Sequence, residues 1–329
     1  MQSTGTAGRL HHGPAKGLRG YRLVDTATQA YLASVAVLIL AGQRYNVTGW
    51  GWWLGLHLIL MAFVHALVAW AGGTSRLSRG IGFLRETYPV LLYPILYRAT
   101  GALNQLFHRG YLDAAFRRVD ATVFGFEPGF ELMTKWPHPA VSELFHAAYF
   151  SYYVMIVGVG AALYVRDRPA FRHFVGVVSF VFYFCYLTYV FLPVVGPRVY
   201  YPELVPEGIP AVAGKGAAPE FPAALQTGPF FRLMSVIYDR FEAPGAAFPS
   251  SHVAIALVTV FFSFRYLRPI RWVHLGVAIL LCVATVYCRY HYAVDVLAGG
   301  AVAALLLPLG NRLHWRGERP YRTGGDGRE

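Results

Sequence analysis

Three short motifs in this chain carry residue types suited to chemistry on a phosphoryl group. In Arg289-Tyr290-His291-Tyr292-Ala293-Val294-Asp295, His291 and Asp295 stand at i and i+4, which on a helix is one face. A carboxylate so placed accepts from one imidazole nitrogen, fixes the tautomer and leaves the other nitrogen free to attack. In Phe248-Pro249-Ser250-Ser251-His252, Pro249 ends upstream structure and Ser250 or Ser251 can cap a new helix. The first-turn N–H groups then favour an anion, and His252 stands beside that position. Gly196-Pro197-Arg198 stops a helix and presents a planar guanidinium fork matched to phosphate oxygens. Singly, each motif reads as structure: a capped helix, an interfacial histidine, an interfacial arginine. Together they offer charge neutralisation, N–H donors, an acid and an oriented nucleophile, which are the needs of phosphoryl transfer. Asp295 is the only acid in the three motifs. A two-metal site needs several such ligands, so no metal and no other cofactor is expected.

The elements that must position these motifs follow from composition. The chain has 329 residues, 56% hydrophobic, 16% aromatic and 14% charged, with a mean hydropathy of +0.41. Soluble domains carry about 25% charged residues, so a water-soluble surface is hard to build here. The apolar residues fall in blocks over 24–41, 50–71, 87–105, 140–165, 173–195, 250–267, 272–288 and 292–309. Most have the length that crosses a ~30 Å hydrocarbon core. Pro89, Pro94, Arg98 and Asn104 make the third the weakest. The sequence therefore predicts an all-α, polytopic integral membrane bundle of about eight transmembrane helices, six of them forming the catalytic core. Two connections are long. Residues 106–139 mix Phe116, Val119 and Phe124 with Arg117, Arg118 and Asp120, as an interfacial amphipathic segment does. Residues 199–248 are rich in proline, with one short amphipathic helix expected around Phe230, Phe231, Met234, Ile237 and Phe241.

The formal net charge of +12 is a matter of topology and not of a nucleic-acid partner. Most of the 29 basic residues sit in alternate connections: around Arg19 and Arg22, Arg76 to Arg85, Arg166 to Arg172, Arg265 to Arg271, and Arg312 onward. That is the distribution of cytoplasmic loops, and no aromatic-interleaved basic patch competes with it. It predicts both termini in the cytoplasm and all three motifs on the extracytoplasmic face of the plasma (inner) membrane. Cys185, Cys282 and Cys288 all lie within apolar blocks, which argues against a disulfide framework.

The order Gly-Pro-Arg, Pro-Ser-Ser-His, His-x-x-x-Asp resembles the type 2 phosphatidic acid phosphatase superfamily of membrane lipid phosphatases and phosphotransferases. The forms Gly196-Pro197-Arg198 and Tyr290-His291-Tyr292-Ala293-Val294-Asp295 are most similar to the inositol phosphorylceramide synthase branch. So is the stretch from Arg118-Val119-Asp120 to Phe124-Gly125-Phe126-Glu127-Pro128. The resemblance covers roughly residues 85–305. It implies that His291 forms a phosphohistidine, with Asp295 orienting it. It implies that His252 protonates the leaving oxygen and then deprotonates the incoming water or alcohol, and that Ser250, Ser251 and Arg198 bind the phosphoryl oxygens. The broad phosphatase pattern has a Lys seven residues before its first Arg, where this chain has Phe191. It also has an Arg six before the nucleophile, where this chain has Thr285, and Arg289 is the candidate to replace that charge.

These readings divide the chain into a disordered basic tail (1–22), two accessory transmembrane helices (23–84), a catalytic membrane domain (85–310) and a second basic tail (311–329). The expected activity is cleavage or transfer of the phosphate or phospho-headgroup of a lipid, sphingolipid or phospholipid, with water or an alcohol as acceptor and membrane lipids as surroundings. The alternative is a non-catalytic polytopic transporter or a haem-binding membrane protein; His57, His65 and His146 would be the haem candidates, or else histidines satisfied within the helices. Topology is checked by cysteine labelling from outside in a background without native cysteines. Lys215→Cys should label and Arg268→Cys should not; the reverse result puts the motifs on the cytoplasmic face.

Overall fold

A computed structural model describes residues 20–42, 47–74, 78–198 and 222–318. Of the expected tails 1–22 and 311–329, residues 1–19 and 319–329 lie outside the described residues, as do residues 199–221 with Lys215, while residues 311–318 are helical and continue the last membrane helix instead of starting a tail. Eleven α-helices are present among the described residues, and no strand. They are α1 (Leu23–Gly42), α2 (Trp50–Gly73), α3 (Arg79–Leu103), α4 (Asp113–Phe124), α5 (Pro128–Lys135), α6 (Pro139–Arg166), α7 (Arg168–Phe191), α8 (Pro229–Phe241), α9 (Ser251–Tyr266), α10 (Arg271–Tyr287) and α11 (Ala293–Glu318). Six of them, α1, α2, α6, α7, α11 and the stretch Arg268–Tyr287 containing α10, are long and apolar enough to cross a membrane. The chain is thus a helical membrane protein. The expectation of eight spans also counted α3, which carries Arg79, Arg85, Glu86 and Arg98, and α9, which has 16 residues.

Local signals set the helix limits. Asp167 ends α6 and begins α7, where its side chain accepts from the Ala170 N–H, so the two helices meet without a loop. Proline opens α5, α6 and α8, where its missing N–H costs nothing. The third helix starts at 79 and not at 87, and it runs through Pro89 and Pro94 unbroken. Its first turns are polar, and burial explains why they are still helical. Arg85 is 4% exposed and grips Asp25 of α1 through Nη1–Oδ1 (2.9 Å) and Nη2–Oδ2 (2.5 Å), while the Tyr88 hydroxyl donates to the same carboxylate (2.7 Å). Arg85 therefore belongs to a buried pair and not to a cytoplasmic loop.

Helix α7 is the centre of the bundle. It packs on α1, α3, α6, α9 and α11, and 72% of its apolar window is buried, against 22% for α2 at the periphery. The two long connections fold as expected into amphipathic helices: α4 and α5 from the first, α8 from the second. All three lie at the end of the bundle where α7 stops and α9 starts. There α4 packs on α11, α5 on α10 and α8 on α6.

Candidate active site

Each predicted motif lies at a helix end or turn, held by its own cap, by the backbone of the helix it ends, or by a carboxylate of α4. Ser250 caps α9, accepting from the Val253 N–H (3.3 Å), as the sequence predicts. Its own N–H donates to the Asp295 carbonyl (3.1 Å), tying the start of α9 to α11. Gly299 allows that approach, since a Cβ there would stand 2.5 Å from the Ser250 carbonyl oxygen. Helix α10 ends in a Schellman turn: the Tyr290 N–H returns to the Thr285 carbonyl (3.0 Å) and the Arg289 N–H to the Val286 carbonyl (3.0 Å). That motif wants a left-handed residue, usually Gly, after the cap. Here Arg289 holds it at φ 63°, the only non-glycine among the described residues with positive φ. The His291 N–H also returns to Thr285 (3.0 Å), so this one carbonyl fixes the backbone at position 291.

Helix α11 then starts at Ala293, and Asp120 of α4 accepts from the N–H groups of Ala293 (3.0 Å) and Val294 (2.8 Å). Asp113, seven residues earlier on α4, holds the Gly-Pro-Arg turn. It accepts from Val195 N–H (3.0 Å), Gly196 N–H (2.9 Å) and the Tyr292 hydroxyl (3.1 Å). Burial pushes the Asp113 carboxyl up to about 6, against the pull of these donors. Gly196 is at φ 89°, and a side chain there would run into the Tyr290 carbonyl oxygen. The turn before Arg198 and the turn before His291 thus touch backbone to backbone.

The result brings His291, His252 and Asp295 together. His291 Nδ1 faces Asp295 Oδ2 at 3.4 Å, and His291 Nε2 faces His252 Nδ1 at 3.4 Å. Asp295 Oδ2 also accepts from the Tyr292 N–H (2.9 Å), which holds the carboxylate while it faces the imidazole. Burial pushes His291 down to about 4, and a hydrogen bond to the Ala247 backbone opposes this. Burial thus favours the neutral form of the ring. Ser251, 4% exposed, lines the same cavity as the two histidines. Arg198 approaches through aromatic neighbours. Its guanidinium carbon lies 5.0 Å from the Tyr290 ring centre and 4.9 Å from that of Tyr238, and Nη2 donates to Ser235 Oγ (3.4 Å). The Arg289 guanidinium carbon lies 5.2 Å from the Phe130 ring centre of α5.

Four residues in the site were given no individual role by the sequence. The Tyr149 hydroxyl is hydrogen-bonded to His252 Nε2 (3.0 Å), which leaves Nδ1 turned to His291. The Tyr149 ring stacks on Tyr290 at 4.2 Å, and the Tyr290 hydroxyl is buried with no protein hydrogen-bond partner among the described residues. Nothing in a chain with 22 tyrosines marks Tyr149, whereas Tyr290 stands inside the His291 motif. Asp113 and Asp120 carried a signal, two acids seven apart on an amphipathic helix and so on one face. The three histidines considered for haem are separately engaged: His57 with the Trp53 carbonyl (2.7 Å), His65 with the Tyr21 hydroxyl (2.8 Å) and His146 with the Ser142 carbonyl (2.8 Å). Among the described residues no group of three or more His, Cys, Asp or Glu is disposed to hold a metal ion.

The described residues thus form an all-helical membrane bundle with two histidines facing each other at one end and a buried Asp behind one of them. Residues 115–309 match the PAP2 superfamily, and the chain belongs to it. That membership carries a phosphatase-type activity on a phosphorylated lipid. Among curated proteins and among solved structures, none matches the chain.

The two turn devices should separate by thermal unfolding in detergent. Arg289→Gly removes a left-handed non-glycine and should stabilise by about 1 kcal/mol. Asp120→Ala removes the cap of α11 and should destabilise by about 1–2 kcal/mol. A fall in midpoint for Arg289→Gly contradicts the account of the turn.

Proposed function

We propose that the chain is a lipid phosphatase or phosphotransferase, similar to inositol phosphorylceramide synthases, that works through a phosphohistidine on the extracytoplasmic face. The observation that carries this reading is the pair His291 Nε2 and His252 Nδ1, 3.4 Å apart, with Asp295 behind His291. His291 Nε2 attacks phosphorus, and the P–O bond to the lipid alcohol breaks as His252 gives that oxygen a proton. Water or a second alcohol then attacks phosphorus, His252 takes its proton, and the P–N bond breaks to restore His291. The transferring oxygens are met by Arg198, by Arg289, and by Ser250, Ser251 and the N–H groups opening α9, where charge-assisted donors act in a dry site. Tyr149 is the positioning residue for His252. The transporter and haem readings lose ground because the histidines proposed for haem are spread over separate hydrogen bonds, whereas the two motif histidines converge.

The roles are separated by leaving group. His291→Ala should remove both turnover and the acid-labile phosphoenzyme formed from labelled substrate. His252→Ala should lose about 10²–10⁴-fold on an alkyl phosphate and much less on an activated aryl phosphate, whose leaving group needs no proton. Equal losses on both substrates overturn the assignment. Turnover should survive excess EDTA; abolition by EDTA with rescue by a divalent metal replaces the phosphohistidine with a metal-dependent route.

The pH profile gives an independent check. With a folded-state value of about 4 for His291, below the ordinary ~6.5, the nucleophile stays neutral well into acid. The acid limb of kcat/KM set by this group should fall near pH 4, because protonation there removes the lone pair. If the nucleophile titrates near pH 6.5 by NMR in active protein, the buried, neutral ring described above is wrong.

A further inference from the structure

At the end of the bundle away from His252 and His291, where α7 starts, arginines gather around two carboxylates. Arg85 of α3 is spent on Asp25 of α1, which also accepts from the Tyr88 hydroxyl (2.7 Å). Glu86, the next residue of α3, takes Arg168 (2.6 Å) and Arg172 (2.7 Å) of α7. Asp167, at the same corner, accepts from the Ala170 N–H (2.9 Å) and caps α7. Arg22, just before α1, is left over: its side chain has no hydrogen-bond or ion-pair partner among the described residues. Its place is nevertheless fixed. The Gly20 carbonyl accepts from Arg85 Nη2 (3.4 Å), the Tyr21 hydroxyl meets His65 of α2 (2.8 Å), and the Arg22 N–H donates to Asp25 Oδ2 (2.8 Å). Leu23 lies against Gly176 of α7, one turn on from Arg172, which brings Arg22 beside Arg172. Burial holds the Arg22 guanidinium below its ordinary value, and Arg172 and Arg85 lower it further than Asp25 and Glu86 raise it. A half-buried cation in this position lacks an anion. Residues 1–19 contain no Asp or Glu and add Arg9, Lys16 and Arg19, and residues 319–329 set Arg319, Arg322 and Arg328 against Asp326 and Glu329.

We propose that Arg22 and Arg172, with the half-exposed Arg168 at the edge, bind the phosphate of an anionic phospholipid at the membrane surface opposite His291. This site does not depend on the proposed function. Its level is that of a lipid phosphate, because the apolar spans of α1 and α7 begin at Leu23 and just past Arg168. Basic pockets between helix ends at that level hold anionic headgroups. The donors fit as well. Arg22 offers a whole guanidinium fork, the shape that matches phosphate oxygens. Arg172 spends Nε and Nη2 on Glu86 and has no partner at Nη1 among the described residues. The surroundings favour a lipid over a free ion. Phe83, one turn before Glu86, is 54% exposed, and Val165 at the end of α6 is 82% exposed, apolar surface on which acyl chains can lie. Bound there, the phosphate cancels a repulsion the chain leaves open and clamps α1, which lies outside the PAP2 match, onto α7.

The test reads the thermal midpoint of the full chain, delipidated in a neutral detergent at low salt. Dioleoyl phosphatidylglycerol should raise the midpoint by several degrees, since a ligand of the folded state stabilises it. Dioleoyl phosphatidylcholine, and inorganic phosphate at the same concentration, should not. Arg22→Gln should act with opposite signs in the two conditions. Without lipid it removes like-charge repulsion and should hold or raise the midpoint. With lipid it should weaken phosphatidylglycerol binding about tenfold, the scale of one or two hydrogen bonds to a charged group. Arg22→Lys, which keeps the charge and loses the fork, should fall between. Native mass spectrometry should count one phosphatidylglycerol fewer on Arg22→Gln than on wild type. His291→Ala should keep the whole lipid response; its loss there would put the lipid at the paired histidines and overturn the site. If inorganic phosphate matches phosphatidylglycerol, the pocket takes a free anion and the lipid assignment falls. An equal response to phosphatidylcholine, unchanged lipid affinity in Arg22→Gln, or a lowered midpoint for Arg22→Gln without lipid each overturn the site.

Discussion

Buried backbone N–H groups need partners, and this protein meets that need with carboxylates reaching from one helix to the end of another. Asp113 of α4 takes the turn at Val195 and Gly196, Asp120 takes the first N–H groups of α11, and Glu143 of α6 takes those of Phe230 (2.8 Å) and Phe231 (3.0 Å) opening α8. An unpaired buried backbone group costs about as much as a lost hydrogen bond, so each contact holds an element in place and orients it. The three proposed phosphate-handling motifs come from parts of the chain up to about a hundred residues apart. They share one end of the bundle because α4 grips two of them, and because the Ser250 N–H finds the Asp295 carbonyl. The geometry of two imidazoles 3.4 Å apart is a consequence of this capping.

Capping of this kind explains what sequence showed and what it hid. The spans were legible because hydrophobic length is a property of consecutive residues: Leu23–Gly42, Trp50–Gly73 and Pro139–Arg166 fall within a few residues of their expected limits. The i,i+4 relation of His291 and Asp295 and the Ser250 cap were legible for the same reason. Arg85 was misread as a loop charge because its partner, Asp25, is sixty residues away, and a long-range ion pair leaves no local trace. Tyr149 was hidden because nothing local separates a tyrosine that positions a histidine from one that packs. Asp113 and Asp120 lay in between, with a visible spacing whose targets only the tertiary fold supplies.

The site also divides its work between two solvents. On one side are charged groups, strained or capped turns and first-turn N–H donors, all gathered at helix ends. On the other is an aromatic cavity whose walls owe little to those ends. Helical interiors in a membrane have no spare backbone donors, so anion chemistry is confined to places where helices stop. Long stretches of uninterrupted helix in turn supply the apolar walls that hydrocarbon needs. The same bundle therefore keeps its charged helix ends and its apolar walls in different places.

The departures from the superfamily pattern fit this division. Where the pattern places a Lys, Phe191 stacks on Phe107 at 5.2 Å and supplies apolar surface instead of charge. Where it places an Arg, Thr285 is fully buried and its carbonyl receives the N–H groups of both Tyr290 and His291. The guanidinium reappears four residues on at Arg289, about one helical turn. Had α10 continued, Arg289 would have lain above Thr285 on the same face and one turn too far along. The left-handed conformation at Arg289 breaks that relation and turns the chain back toward the site. A glycine there would make the same turn at lower conformational cost and carry no charge. A non-glycine kept at φ 63° is therefore best understood through its side chain, and it makes Arg289, beside Arg198, the second cation proposed to face the transferring phosphate.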